Sequence, residues 1–317
     1  MRKRRLLIFF MIVSLFVWPV DVKEDVIRWV DFDVSCEAME RAVELAAQAR
    51  ERDEPVTWLQ LLALAGVYGG GHVRPAQVTR AAEGFRTAQP VAPGQQKLYA
   101  YYLQAYTAAL GGLVGTYAIE KTSEDGSRHW QPCEGVKAFS PIAAGYWYSH
   151  YDDFGAGRSF GFARRHLGND LLGSLGTPIT AVEGGTVEAM GWNRYGGWRV
   201  GIRSHDRKRY YYYAHLRKDT PFAPGLQVGN TVQAGDLIGF MGRTGYSDRE
   251  NVNNIETVHL HFGLQLIFDE SQKECDSEIW IDVYEIVRFL SRHRSSLVQD
   301  AKTGEWKRLY PYRDLDT

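Results

Sequence analysis

Hydrophobic and polar residues follow three different patterns along the chain, and each pattern predicts a different kind of element. Residues 6–20 are an apolar run without a charged residue that follows the basic start MRKRR. From about residue 33 to residue 120, apolar residues recur every three or four positions, which is typical of amphipathic helices. After about residue 119, short segments rich in aromatic and β-branched residues are separated by glycine and polar turns, which indicates strands.

Three segments carry the helical pattern: VSCEAMERAVELAAQARE, PVTWLQLLALAGVYGGG and LYAYYLQAYTAALGG. In the first segment Val34, Ala38 and Leu45 fall on one stripe of a helix. The second segment has a proline at its start and glycines at its end, which are common helix boundaries. We therefore expect a small helical domain over residues 23–125.

Four short segments carry the strand pattern: TPITAVEGGTVEAMGW, WRVGIRS, RYYYYAHL and GDLIGFMG. With the turns between them, they predict a mainly antiparallel β domain over residues 126–275. A last helix is predicted in VYEIVRFLSRH, with Asp282 and Glu285 as a capping box, in a C-terminal helix and tail over residues 276–317. The predicted fold class is α+β: an N-terminal helical domain, a mainly antiparallel β domain and a C-terminal helix.

The basic start and the apolar run match an export signal over residues 1–22. The run is shorter than the roughly 20 residues of a full membrane span, yet no Ala-x-Ala cleavage signal follows it. This favours an uncleaved signal anchor over a cleaved peptide. We expect an extracytoplasmic protein that is anchored to the membrane by this segment, or a secreted one if the segment is removed.

Composition narrows the function classes. The chain has 317 residues, of which 44% are hydrophobic and 24% charged, as is usual for globular domains. A formal net charge of −1, with no long run of one charge sign after the start, gives no reason to expect nucleic acid as a partner. Cys36, Cys133 and Cys275 form no CxxC pair, so neither a cysteine zinc site nor a disulfide framework is indicated.

Two histidines of the segment VHLHFGLQL point to one face if the segment is a strand, because side chains alternate. An isolated pair such as His259 and His261 is more often a pair of surface residues than a site. HLGND, however, places His166 and Asp170 four positions apart, with the space left by Gly168 between them. In a strand all three would face one side. A catalytic zinc takes three protein ligands and a water, which His166, Asp170 and one histidine of HLH would complete.

A further histidine, His215, ends RYYYYAHL at the start of a loop, a common position for catalytic residues. The order HxxxD, YAHL and HLH, with VQAGDLIGFMGRTG between the last two, resembles the lysostaphin-type (LytM-like) peptidoglycan zinc metalloendopeptidases over roughly residues 138–268. The resemblance implies a groove-forming β fold of the duplicated hybrid motif type and one Zn²⁺ per chain. It also implies peptidoglycan peptides as substrates and a location at the cell wall.

By position, the resemblance implies that His166, Asp170 and His261 bind zinc. It implies that His215 and His259 handle the water and the developing oxyanion. Which of these two histidines acts as the base stays open, as do the peptide bond that is cut and the oligomeric state. The alternative is a catalytically silent scaffold that binds peptidoglycan or activates a hydrolase; it is disfavoured because all five motif positions are kept.

Two features depart from the family pattern. Residues 245–257 (GYSDRENVNNIET) lengthen the link before HLH, and Gly263 follows HLHF where an acidic residue is common. Neither departure touches the five motif positions. We expect the longer loop to border the groove, which leaves peptide specificity open.

Overall fold

The structure is a computed structural model that describes residues 27–316 except residues 55, 88 and 274. The predicted export signal over residues 1–22 lies outside these residues. No helix in the described part of the chain is both long and apolar enough to pass through a membrane. The domain boundaries at residues 125 and 275 stay a prediction.

The first part of the chain forms helices whose ends are set by local hydrogen bonds. Ser35 Oγ caps the first helix by accepting from the N–H of Ala38 at 3.2 Å. Thr57 and Gln60 form a capping box at the second, which ends at Gly70 in the left-handed region with φ 59°. Within the described residues the α-helices are α1 Cys36–Glu51, α2 Trp58–Gly69, α3 Pro75–Gly84, α4 Gln96–Leu110 and α5 Tyr284–Leu290.

Helix α3 is not among the predicted segments. It begins at Pro75, whose fixed φ suits the first helical position, and the Gln77 side chain accepts from the N–H of Arg74 at 3.2 Å. Only Val78 and Ala81 are buried on this helix. Two apolar positions are too short a stripe to stand out in the sequence.

Helices α1 to α4 pack around a shared core, and α5 from the C-terminal part joins them. Met39, Leu61 and Tyr106 are fully buried in this core. The ring of Trp58 in α2 stacks on Phe289 of α5 with 6.4 Å between ring centres. Burial of these large apolar side chains ties the C-terminal helix to the N-terminal bundle.

The predicted capping box of α5 is wrong. The N-cap residue is Val283, and Asp282 Oδ1 accepts from the N–H of Tyr284 at 2.9 Å instead. Glu285 Oε2 accepts from the N–H of Cys36 at the start of α1, at 2.7 Å. The glutamate is thus used in a contact between distant parts of the chain, which sequence spacing does not reveal.

Strands are the main regular structure of the chain after α4, and the prediction of a mainly antiparallel β region is confirmed. Within the described residues the strands are β1 Asp33–Val34, β2 His72–Val73, β3 Val114–Thr122, β4 Arg128–Val136, β5 Tyr148–His150, β6 Gly157–Phe160, β7 Phe162–Arg165, β8 Asn169–Gly173, β9 Pro178–Thr180, β10 Gly185–Asn193, β11 Gly197–Ser204, β12 Arg209–Ala214, β13 Thr231–Val232, β14 Leu237–Phe240, β15 His259–Leu266, β16 Ile279–Ile281, β17 Leu297–Gln299, β18 Trp306–Arg308 and β19 Tyr312–Asp314. The largest sheet of this part of the chain has eight strands in the order β13-β10-β11-β12-β15-β8-β5, with β16 also paired to β15.

The prediction of helices up to residue 120 is wrong for its last part. Strand β3 occupies that stretch and pairs antiparallel with both β4 and β19. Thr116, Tyr117 and Ile119 favour strand. The turn SEDGS at residues 123–127, with Gly126 at φ 81°, brings β4 alongside β3.

Strand β15 lies inside the large sheet, between β12 and β8, and carries the HLH segment. Leu260, Phe262 and Leu264 point into the core and are buried. His259 and His261 therefore lie on the opposite face, as the alternation predicts. That face positions the site.

Candidate metal centre

Three predicted residues from two distant parts of the chain meet beside β15. Nε2 of His166 lies 2.7 Å from Nδ1 of His261 and 3.0 Å from Oδ1 of Asp170, and the last two atoms are 3.5 Å apart. Asp170 and His261 are directly opposite each other on β8 and β15. These atoms could hold one metal ion, and they form the one such group in the part of the chain that the structure describes.

His166 reaches the cluster from a turn, so its predicted place in a strand with Asp170 is wrong. Strand β8 begins at Asn169, and residues 166–168 connect it to β7. The N–H of His166 donates to the carbonyl of Ala156 at 2.9 Å, which fixes the turn. A Cβ atom on Gly168 would lie 2.9 Å from Cε1 of His261. The missing side chain therefore makes room for the ring of His261.

Asp170 is held so that one carboxylate oxygen can bind a cation. Its Oδ2 accepts from Arg158 Nη2 at 3.0 Å, and its N–H donates to Oδ1 of Asp153 at 3.1 Å. Its own Oδ1 is buried and accepts no hydrogen bond of good geometry from the described residues. Burial alone would raise the pKa of Asp170, but His166 and His261 beside it hold that pKa well below its usual range.

Asp153, which no sequence motif marks, orients the ring of His166 from thirteen residues upstream. Nδ1 of His166 lies 3.1 Å from the backbone carbonyl oxygen of Asp153 and 3.2 Å from its Oδ2. Because these oxygens accept, Nδ1 carries a proton and Nε2 is turned to the cluster. Burial alone would lower the pKa of His166, but the neighbouring carboxylates of Asp153 and Asp170 raise it to about 9.

His215 and His259, the other two predicted residues, present the same ring edge to the cluster. Nδ1 of His215 is 2.8 Å from the carbonyl oxygen of Thr244, and Nδ1 of His259 is 2.9 Å from that of Thr257. A carbonyl only accepts, so each Nδ1 donates and each neutral ring keeps a lone pair on Nε2. Nε2 of His259 lies 3.7 Å from Oδ1 of Asp170. The two ring centres are 4.7 Å apart.

His215 stands directly after β12, as predicted, in a strained backbone conformation. Its φ of 62° lies in the left-handed region that residues other than glycine rarely adopt. Its N–H donates to the carbonyl of Gly196 at 2.7 Å. Burial lowers the pKa of His215 well below its usual range, and the neighbouring His259 and His261 lower it further. The ring is therefore neutral at neutral pH in this environment.

All five predicted residues line one cleft of about 290 Å³. Its walls are mainly aromatic and cationic, and include Tyr195, Tyr212 and Trp280. Tyr246 belongs to the long loop over residues 245–257 and also lines the cleft. The loop thus borders the groove, as expected from the sequence.

Peptidase family M23 matches residues 164–274, the stretch that holds all five site residues. This stretch is similar to peptidase family M23. The chain is 39% identical over 117 residues to the L-Ala–D-Glu endopeptidase of Bacillus subtilis, covering 37% of this chain and 34% of that protein. It is 36% identical over 98 residues to lysostaphin of Staphylococcus simulans, covering 31% of this chain and 17% of that protein. The predicted resemblance to the lysostaphin-type family is confirmed.

The chain spans about a third or less of the length of these curated relatives. A solved structure from Ruminococcus gnavus, described as a glycyl-glycine endopeptidase lytM, is 24% identical with a TM-score of 0.49. That comparison covers 82% of this chain and 89% of the other. Asp153 and Arg158 lie before the M23 match, so the described site extends beyond it.

Proposed function

We propose that this protein is a zinc-dependent endopeptidase that hydrolyses peptide bonds of bacterial cell-wall peptidoglycan, outside the cytoplasm. The observation that carries the proposal is the convergence of His166, Asp170 and His261 in a cleft, beside two histidines with free Nε2 edges. The M23 relative named for an L-Ala–D-Glu bond supports the substrate class, because D-amino acids in peptides are characteristic of peptidoglycan.

The residues present fit zinc. Two imidazole nitrogens and one carboxylate oxygen are a donor set that zinc takes in catalytic sites, with one position left for water. Nε2 of His166, Oδ1 of Asp170 and Nδ1 of His261 would hold one ion per chain. The buried Oδ1 of Asp170, which lacks a hydrogen bond among the described residues, would gain a partner. When bound, zinc lowers the pKa of a water molecule and polarises the substrate carbonyl.

His215 and His259 handle the proton in this mechanism. Because Nδ1 of each ring donates to a backbone carbonyl, Nε2 of a neutral ring can take a proton from the attacking water. Once protonated, the same nitrogen can donate to the developing oxyanion or return the proton to the amine of the leaving peptide. The C–N bond breaks, the water oxygen stays on the carbonyl carbon, and the amine carries the returned proton.

The metal and the products test this function together. The purified protein should contain one zinc per chain and release peptides from peptidoglycan that mass spectrometry identifies. A chelator should abolish the release, and added zinc should restore it. Full activity in the metal-free protein would contradict the proposal. Release of peptidoglycan fragments in which no peptide bond has been cut would contradict the assignment as an endopeptidase.

We further propose that residues 6–20 anchor the protein in the membrane with the basic start inside and the remainder outside. External protease added to intact cells should then digest the region after residue 21, while the undigested protein fractionates with membranes. Protection in intact cells would argue against this topology. Protein in the medium that starts near residue 21 would show cleavage instead of anchoring.

A further inference from the structure

Two partly buried arginines of the cleft, Arg164 and Arg199, lack an acidic partner among the described residues, as does the exposed Arg165. Arg158, by contrast, contacts the carboxylates of Asp153 and Asp170 at 2.5 and 3.0 Å. Neither Arg164 nor Arg199 forms an ion pair with a carboxylate among the described residues, and both line the cleft. Nη1 of Arg164 and Nε of Arg199 are buried and donate to no acceptor in that part of the chain. The protein itself therefore leaves both charges uncompensated.

Arg164 lies against two aromatic rings at the His215 end of the cleft. Its guanidinium carbon is 4.8 Å from the ring centre of Tyr195 and 5.1 Å from that of Tyr246. The ring of Tyr246 is in turn 5.9 Å from that of His215. Contact with aromatic faces favours the cation, and the buried Nη1 still lacks an acceptor among the described residues.

Arg199, on β11, lies in the same cleft beside Tyr212. Its guanidinium carbon is 5.9 Å from the ring centre of Tyr212, which is 5.7 Å from that of His261. A Cβ atom on Gly196, the chain neighbour of Tyr195, would clash with the hydroxyl oxygen of Tyr212, so Arg164 and Arg199 both lie near Tyr212. Burial raises the pKa of Tyr212, although the nearby charges of Arg199 and Arg164 lower it. Burial also raises the pKa of the adjacent Tyr210 to about 12. Neither tyrosine supplies a compensating negative charge at neutral pH.

The cleft as a whole carries an excess of positive charge. Its described lining includes five cationic side chains and two carboxylates, and one of those carboxylates is Asp170 of the metal centre. Arg158 is paired with Asp153 and Asp170, and Lys273 is paired with Glu188 at 2.7 Å. The cations of the lining without a carboxylate partner among the described residues are therefore Arg164, Arg165 and Arg199. A bound zinc ion would increase the excess. Clefts of one charge sign attract ligands of the other sign. The cationic side chains are Arg158, Arg164, Arg165, Arg199 and Lys273.

We propose that Arg164 and Arg199 bind a free carboxylate of the peptide substrate near Tyr212, so that the protein prefers an acidic residue beside the bond that is cut. The inference rests on the proposed peptidase function and adds a substrate class to it. The planar guanidinium matches a carboxylate with two parallel hydrogen bonds. The Bacillus subtilis relative is named for a bond to D-glutamate. Whichever carboxyl group of a glutamate continues a peptide, the other one is free.

A matched pair of synthetic peptides tests the proposal. Both contain an L-Ala–D-Glu bond, and they differ only in the second carboxyl group of glutamate, which is free in one and a carboxamide in the other. Stopped-flow tryptophan fluorescence of the zinc-loaded chain records binding before cleavage, because Trp280 lines the cleft. We expect the free-carboxylate peptide to bind about 10 to 100 times more tightly, the range for hydrogen bonds to charged groups.

Substitutions then assign the preference to the two arginines. Arg164→Gln and Arg199→Gln should each remove most of the preference by weakening only the carboxylate peptide. Arg199→Lys should keep part of the preference, because lysine keeps the positive charge but cannot form two parallel hydrogen bonds to a carboxylate. Unchanged binding of the carboxamide peptide in each variant shows that the cleft is intact.

Arg194→Gln is the matched control. Arg194 lies 5.3 Å from the ring centre of Tyr195 but pairs with Asp248 at 3.2 Å, and it is not among the described residues that line the cleft. Its loss should leave the preference unchanged. Equal binding of the two peptides by the unchanged protein, or a similar loss of preference in Arg194→Gln, would overturn the carboxylate site. A preference without cleavage of either peptide would keep the site and contradict the peptidase function.

Discussion

Nε2 of His166 and Nδ1 of His261 lie 2.7 Å apart, although 95 residues separate the two histidines in the chain. The two rings offer different nitrogens to one point, because Nδ1 of His166 is already held by Asp153. In a tetrahedral site with zinc–nitrogen bonds of about 2.0 Å, the two nitrogens would be about 3.3 Å apart. The distance between these two nitrogens therefore needs to increase only slightly for the ion to bind.

The two histidines of β15 should separate in their effects. His261→Ala removes one of three proposed ligands, so zinc content and activity should both fall steeply. His259→Ala should keep zinc and lose about 10²–10⁴-fold in turnover, the scale of a positioned acid or base. Metal analysis of the purified variants decides between them. Zinc lost in His259→Ala and kept in His261→Ala would reverse the assignment, and zinc unaffected in both would remove the pair from the metal site.

His215 should behave like His259 in chemistry and differ in its backbone. His215→Asn should keep zinc and lose about 10²–10⁴-fold in turnover, because the Nε2 proton acceptor is gone. Asparagine tolerates the left-handed region that His215 occupies at φ 62°, whereas alanine does so less readily. His215→Ala should therefore lose similar activity and more thermal stability. Turnover within tenfold of the unchanged protein in both variants would exclude a proton-transfer role.

The sequence predicts the site well where the signal is local. Leu260 and Phe262 alternate with His259 and His261, so burial of the apolar pair fixes the histidines on the other face. His215 likewise lies directly after a strand, as the sequence predicts, because β12 ends at Ala214. Period-two alternation needs only the strand itself and one buried face, and both can be read from neighbouring residues.

Other features depend on contacts between distant residues and could not be predicted in this way. Asp153 orients His166 through a loop that has no fixed spacing to it. Glu285 has the spacing of a capping box but accepts from Cys36, 249 residues away, once α5 packs on α1. Strand β3 depends on its partners β4 and β19, and β19 lies near the other end of the chain. In each case tertiary pairing decides what a local pattern leaves open.

Asp153 should control zinc affinity without binding zinc. Asp153→Asn keeps the backbone carbonyl beside His166 Nδ1 but removes the carboxylate that holds this ring and Arg158. Loss of such an orienting partner typically weakens metal binding by about 10 to 100-fold. Competition with a chromophoric chelator measures the effect. The exposed neighbour Asp152 provides the control Asp152→Asn, and equal affinities in the two variants would contradict the orienting role.

The buried pair of Glu183 and Arg209 should stabilise the fold rather than take part in the chemistry. Arg209 Nε donates to Glu183 Oε2 at 2.7 Å, and their side chains are only 2% and 8% exposed. Arg209 Nη1 also donates to the carbonyl of Ala108 in α4 at 2.8 Å, which links the large sheet to the helices. Glu183→Gln keeps the shape but leaves the buried guanidinium without its main counter-charge. Breaking a buried pair in this way costs about 3–5 kcal/mol of unfolding free energy.

Urea unfolding of the zinc-loaded protein measures this cost, with Glu44→Gln as the control. Glu44 forms an exposed pair with Arg41 at 2.8 Å, and such pairs contribute about 0–1 kcal/mol. The two variants remove the same charge from environments that differ in burial. Zinc content should be unchanged in both, because neither glutamate lines the cleft among the described residues. If Glu183→Gln were no less stable than Glu44→Gln, the link between sheet and helices would not depend on this pair.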